Sequence, residues 1–271
     1  MSSPGVVGFA LPRIIKSDEK KLLKSPDNEA LRLETGSYYI MYANAFIEGP
    51  AKMLPPDQYD KRDKKLVKAK NLYLQGVAVL RNGLEKKYPN IGTAYPAGKF
   101  DSFLKQFTKD DVPFLYWIVA GSMAAYSLDV MNMELGLKLP ELTAMIKQAY
   151  ILDPNFNNGA IDDFFISFYG ALPAALGGNR DLAKKEFNIA VKKTNGNSAS
   201  PYISYIEAIA IPEQDYTAFK DCLNKALSVN FSKMKTPEEK LANKIAQKKA
   251  RFYLKNADRF ILIDDQSSNT G

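Results

Sequence analysis

The sequence predicts an all-α protein, and three observations carry that prediction. Most of the 15 prolines, from Pro26 and Pro50 to Pro96, Pro154, Pro212 and Pro237, fall between runs of helical length, where proline starts or follows a helix. Runs that alternate with a period of two are scarce. Asn-Gly occurs at Asn82-Gly83, Asn158-Gly159 and Asn195-Gly196, and none is flanked by strands on both sides. The pieces between breakers carry apolar residues every three or four positions. Helices are expected over residues 27–48, 59–87, 100–107, 113–129, 140–152, 159–172, 180–193, 202–211, 215–229 and 237–259. They form a single domain over 11–260, with an N-terminal extension (1–10) and a flexible C-terminal tail (261–271).

Each element has its own justification. In 59–87, Leu66, Tyr73, Val77, Leu80 and Leu84 recur at helical spacing, while Lys64, Lys65, Lys68 and Lys70 lie largely off that stripe. The run Phe114 to Val119 is apolar throughout and reads as a buried helix. In 140–152, Leu142, Ile146 and Ala149 share one face ahead of Leu152-Asp153-Pro154. The stretch 159–172 is apolar nearly all round and belongs between neighbours in a core. Asn158 is expected to cap its first turn, with Asp162 and Asp163 at the positive end of the helix dipole. After the turn Gly177-Gly178-Asn179, residues Ala183, Phe187 and Ala190 repeat the 142/146/149 pattern, and Phe219, Leu223 and Ala226 repeat it again. The three small residues Ala149, Ala190 and Ala226 lie 41 and 36 positions apart, close to the tetratricopeptide period of about 34. A small residue lets two helices of a hairpin approach, and a bulky one fills the hole a turn away. The expected fold is therefore a set of degenerate tetratricopeptide-like hairpins stacked into a compact superhelical domain.

Composition narrows the function. The chain has no His, which removes Ser-His-Asp and Cys-His nucleophile systems and every His-based metal site. A single cysteine, Cys222, excludes an internal disulfide and a thiolate metal cage. Carboxylate, Lys or Tyr chemistry and oxygen-only metal sites remain open. No cofactor is indicated. The net charge is +7; without any nucleic-acid motif it reads as a Lys-rich solvated surface. No uncharged apolar run reaches the roughly 18 residues of a membrane helix. Met1 to Leu11 is too short, and lacks the basic start, for a secretory signal. Composition leaves two locations open: the cytoplasm, or export with the signal removed.

Longer stretches carry a resemblance. NNGAIDDFFISFYGALPAALGGNRDLAKKEFNIAV (157–191), LPELTAMIKQAYILDPNF (139–156) and SPYISYIEAIAIPEQDYTAFKDCLNKAL (200–227) resemble the tetratricopeptide proteins associated with tripartite ATP-independent periplasmic (TRAP) transporters. LANKIAQKKARFYL (241–254), SPDNEALRLETGSYYIMYANAFIE (25–48) and NLYLQG (71–76) fit the same family. The resemblance implies an all-helical, non-catalytic periplasmic protein that forms a homotrimer with an internal channel. It implies a periplasmic solute-binding protein as partner and a small organic or hydrophobic acid as ligand. Members are often lipid-anchored. This chain shows no lipid-attachment Cys near its start, so a membrane tether would need an anchor absent from this sequence.

Candidate residues are few. Trp117, Asn158, Asp162 and Tyr169 form the best ligand-facing set, since amide and phenol groups beside Phe walls suit an organic acid; packing and capping are the ordinary roles of the same residues. Asp162 and Asp163 point about 100° apart on a helix, which disfavours a shared acid/base role. Gly177-Gly178 lacks the strand and Gly-Lys-Ser/Thr of a phosphate loop. In the last helix Lys240, Lys244, Lys248, Arg251 and Lys255 form a stripe opposite Leu241, Ile245, Phe252 and Tyr253. It is a solvated face or a docking surface for an acidic partner. The functional readings are a transporter accessory protein, a cytoplasmic scaffold for an acidic peptide, and a carboxylate-dependent glycosidase or lyase.

Overall fold

Helix boundaries follow the breakers and caps. The computed structural model describes residues 3–95 and 99–262; Pro96 and nearly all of the tail expected over 261–271 lie outside these. Ten longer helices organise the described residues: α1 (Pro4–Lys24), α2 (Glu29–Tyr42), α3 (Tyr59–Lys87), α4 (Val112–Ser127), α5 (Leu139–Leu152), α6 (Ala160–Ala171), α7 (Arg180–Lys193), α8 (Ser200–Tyr205), α9 (Tyr216–Ser228) and α10 (Pro237–Lys255). No strand occurs among the described residues. Asn28, Asn179 and Asp215 cap α2, α7 and α9 through their side chains, and Thr236 with Glu239 closes a capping box on α10.

Helix α1 has no counterpart among the expected helices. It buries only Leu11, Ile15 and Asp18, contains Pro12, and leaves Val6, Phe9, Ile14 and Leu23 exposed. Its buried positions keep helical spacing, but Pro12 within it reads in sequence as a breaker.

The chain forms two compact units, one of residues 5–154 and one holding residues 155 onward with the first few of the chain. In the first unit α2 packs on α3, α3 on α4, and α4 on α5. Glycines set the spacing of these helices. A Cβ on Gly76 would stand 2.7 Å from the Gly36 carbonyl oxygen, and one on Gly121 would stand 2.7 Å from Ile40 Cδ1. Tyr73, Leu80, Leu84, Leu115, Ile118, Leu142 and Ile146 fill the core between them.

In the second unit α6 packs on α7 and α8, α8 on α9, and α9 on α10. The three small-residue positions of the repeat pattern, Ala149 in the first unit and Ala190 and Ala226 in the second, are all buried, as is Ala183. Phe187, the bulky member of the middle triple, is half-buried, with its ring 4.5 Å from that of Tyr205. The seam of α10 differs from expectation. Asn243, Ala246, Gln247 and Ala250 are its buried residues, while Leu241 and Ile245 are only half-buried. The Gln247 amide nitrogen lies 3.1 Å from the carbonyl oxygens of Ala226, Leu227 and Val229, so a buried amide serves the carbonyls at the end of α9. Asn243 Oδ1 accepts the Ala199 N–H at 2.7 Å.

Two helices widen rather than end. α2 continues as a π-helical turn, Ala43–Glu48, and α8 as another, Ile206–Ala210. In both, the residue before a proline donates to the carbonyl five positions back, Gly49 to Asn44 and Ile211 to Ile206. The wider turn makes room for the rings of Pro50 and Pro212, which would otherwise clash with the preceding helical turn.

Candidate functional site

Seven-residue spacing puts two side chains on one face of a helix, two turns apart. On α6 this pairs Asp162 with Tyr169, and on α7, packed against it, Glu186 with Lys193. The four residues form a polar cluster between the two helices. Asp162 is fully buried, and its two carboxylate oxygens accept bonds from Lys193 Nζ at 2.9 and 2.7 Å. Glu186 approaches from the same helix as Lys193. Its Oε2 is buried and has no hydrogen-bond partner among the described residues. Burial, and then the charge of Asp162, raise the pKa of Glu186. Tyr169 is held above the usual phenol range by burial and by Glu186. Its ring stacks on Phe165 at 5.2 Å and 20°, and its carbonyl accepts the N–H of Asn179, the N-cap of α7.

Asp163 turns to a different neighbour. It accepts from Ser204 Oγ at 2.7 Å, and burial raises its pKa against the stabilising bonds from Ser200 and Ser204. The adjacent aspartates thus bracket separate helices, α7 and α8.

Asn158 does not cap α6. The residue at the cap is Gly159, and no side chain bonds the first turn. Asn157, Asn158 and Gly159 all have positive φ, at 44°, 54° and 93°. This left-handed run carries the Asn158 side chain away from the helix, and its Nδ2 donates to Glu239 Oε1 at 3.3 Å. Of the expected ligand-facing set, the structure therefore brings Asp162 and Tyr169 to one helix face. Asn158 is spent on α10, and Trp117 belongs to the first unit, where its ring meets Tyr116 edge-on at 5.2 Å. Lys193 and Glu186 were missed by the sequence reading. Their spacing on α7, equal to that of Asp162 and Tyr169 on α6, is the signal that could have found them.

The basic stripe of α10 is split by packing. Lys248 and Arg251 are exposed, whereas Lys240 and Lys244 are half-buried. Lys244 lies 5.9 Å over the Phe231 ring, and Arg251 Nη2 donates to Gln247 Oε1 at 3.3 Å.

The cluster is built to hold charge rather than to cleave a bond. A hydrolytic acid pair must face substrate from both sides of a cleft; here Asp162 has no exposure and both of its oxygens are engaged by Lys193. Burial pushes the Cys222 thiol up to about 12, which removes it as a nucleophile near neutral pH. Among the described residues no group of three or more acidic or Cys side chains is placed to hold a metal ion. Among them, too, no helix is long and apolar enough to cross a membrane.

Comparison with known proteins bears on the same chain. It is 30% identical over 260 residues to an uncharacterized protein of Treponema pallidum (strain Nichols), which covers 95% of this chain and 80% of that one. A family model described as TRAP transporter T-component matches residues 2–261. The all-helical architecture agrees with the fold that the sequence resemblance implied. The chain belongs to the TRAP transporter T-component family.

Proposed function

We propose that this protein is a non-catalytic, periplasmic accessory subunit that docks the solute-binding protein of its transporter and assists transfer of a small organic or hydrophobic acid through an internal cavity of a homotrimer. Family membership over nearly the whole chain carries this reading, and it fits an extracytoplasmic location. In this reading the basic face of α10 meets an acidic patch on the solute-binding protein, with Lys248 and Arg251 at its exposed centre and Lys240 and Lys244 at its margin. In the second unit half-buried Tyr169 is the proposed ligand-facing residue, with buried Asp162 holding Lys193 on the same helix face and Asn158 setting the turn that precedes α6; half-buried Trp117 is a separate candidate in the first unit.

The test is binding to the solute-binding protein of the same transport system. Complex formation is expected with a Kd near about 1 μM that weakens as salt rises. Lys248→Glu with Arg251→Glu should weaken it about tenfold or more. No complex at about 50 μM of each protein would remove the docking claim. Native mass spectrometry of the purified protein reads the trimer and any carried acid in the same experiment.

A further inference from the structure

Helix α1 presents an outer face that the accessory role does not use. Its inner side is taken. Leu11, Ile15 and Asp18 are buried, a Cβ on Gly8 would stand 2.6 Å from Phe46 Cδ1, and Tyr39 donates to Glu19 at 2.7 Å. Each residue advances a helix by about 100°, so Val6, Phe9, Arg13, Lys16, Lys20 and Lys24 fall within about 80° of one another, on the side away from Leu11, Ile15 and Asp18. All six are exposed, Phe9 by 70%. A single helix therefore sets these side chains on one surface, in a row of about 22 Å from Phe9 to Lys24.

The row is apolar at its start and basic along the rest. α1 carries five basic side chains against two acidic ones, and neither acid lies on the outer face. Asp18 is buried and pairs with Lys21 at 2.7 Å, and Glu19 is the acceptor of Tyr39. Lys16, Lys20 and Lys24 enter no ion pair among the described residues. Arg13 lays its guanidinium 4.0 Å from the centre of the Phe9 ring and donates to the Phe9 carbonyl at 3.0 Å, so the aromatic ring and the first cation of the row already share one spot.

We propose that the outer face of α1 lies on an anionic phospholipid surface, with Val6 and Phe9 at the acyl boundary and Arg13, Lys16, Lys20 and Lys24 over the headgroups. Apolar tips in line with a row of cations hold a helix at such an interface. The composition favours lipid over an acidic protein. Three of the four cations are lysine, which is depleted at protein interfaces where arginine is enriched. The outer side of one helix is convex, so its tips meet a flat surface and line no groove.

Vesicle flotation tests it. The full chain is mixed with phosphatidylglycerol–phosphatidylcholine vesicles or with phosphatidylcholine alone, at about 50 mM and about 500 mM salt. Flotation with the anionic vesicles at low salt, weakened at high salt and absent with phosphatidylcholine, is expected. Each lysine at such a surface is worth about fivefold, so Lys16→Gln, Lys20→Gln and Lys24→Gln together should weaken binding about 100-fold. Phe9→Ser should weaken it about tenfold or more. Lys61→Gln, Lys64→Gln and Lys68→Gln on α3 remove the same charge elsewhere and should leave flotation nearly unchanged. Far-UV circular dichroism confirms that these surface variants fold. No flotation with anionic vesicles at low salt overturns the proposal, as does flotation that the α1 triple variant leaves unchanged or that the α3 variant loses equally. Capture by poly-L-glutamate that the α1 triple variant loses, with vesicles unbound throughout, overturns it too and assigns the face to an acidic protein.

Discussion

Lys193→Met puts the Asp162 cluster under direct test. Methionine keeps most of the lysine stem but removes the ammonium that bonds both oxygens of a carboxylate with no exposure to water. Breaking one side of a buried pair costs about 3–5 kcal/mol. The Lys193 side chain is 20% exposed, so solvent softens the loss, and about 2–4 kcal/mol is expected. Asp162→Leu with Lys193→Met removes both charges and should restore most of the loss. Urea denaturation followed by far-UV circular dichroism measures these differences. Trp117 is the only tryptophan and sits in the first unit, so its fluorescence reports whether that unit unfolds with the second. A loss under about 1 kcal/mol, or one matched by exposed Lys192→Met, would refute the reasoning.

Four other outcomes follow from the packing. Gly76→Ala drives a methyl to within 2.7 Å of the Gly36 carbonyl and should lower stability by about 1–3 kcal/mol despite the better helix former, while Gly5→Ala, with nothing within 4 Å, should not; thermal melts compare them. Gln247→Leu strips the carbonyls at the end of α9 of their shared donor and should cost about 1–3 kcal/mol by urea titration. Glu186→Gln should stabilise the protein at neutral pH, because the raised pKa of Glu186 means its charge opposes folding there; the gain should vanish as pH falls and the wild-type carboxyl takes its proton. Cys222, buried and with its pKa near 12, should resist a thiol reagent at about pH 8 in the folded protein, where roughly one thiol in 10,000 is ionised, and react on unfolding.

What the sequence disclosed depends on where the signal lies. Helices α3 and α7 were legible at both ends, because local chemistry marks them: Pro55-Pro56 before one, and the Asn179 cap and the Thr194-Asn195-Gly196 turn around the other. The alanines of the repeat pattern were legible because a helical stripe with a fixed small position has few other meanings. Helix α1 was not, since Pro12 lies inside it and reads as a breaker. The side chains that bind helices to one another across the chain were also hidden. Gln247 and Asn243 look like surface residues in a Lys-rich helix and become brackets only when α9 and α8 arrive. Asp162 could be placed at a helix start, but nothing nearby in sequence names Lys193 as its counterion. Asn158 was misassigned because cap preference assumes an extended backbone, and the Asn157–Gly159 run is left-handed.

The two π turns have a consequence for comparing relatives. A π turn is an α-helix carrying one surplus residue, and each residue advances a helix by about 100°. A relative that lacks the surplus residue in 43–48 or 206–210 would need a one-position gap there. Without it, every side chain beyond would rotate by over a quarter turn. Glu48 bonds Tyr73 and Glu207 bonds Tyr253 from within these turns, so the two glutamate–tyrosine pairs are the natural register marks for such an alignment.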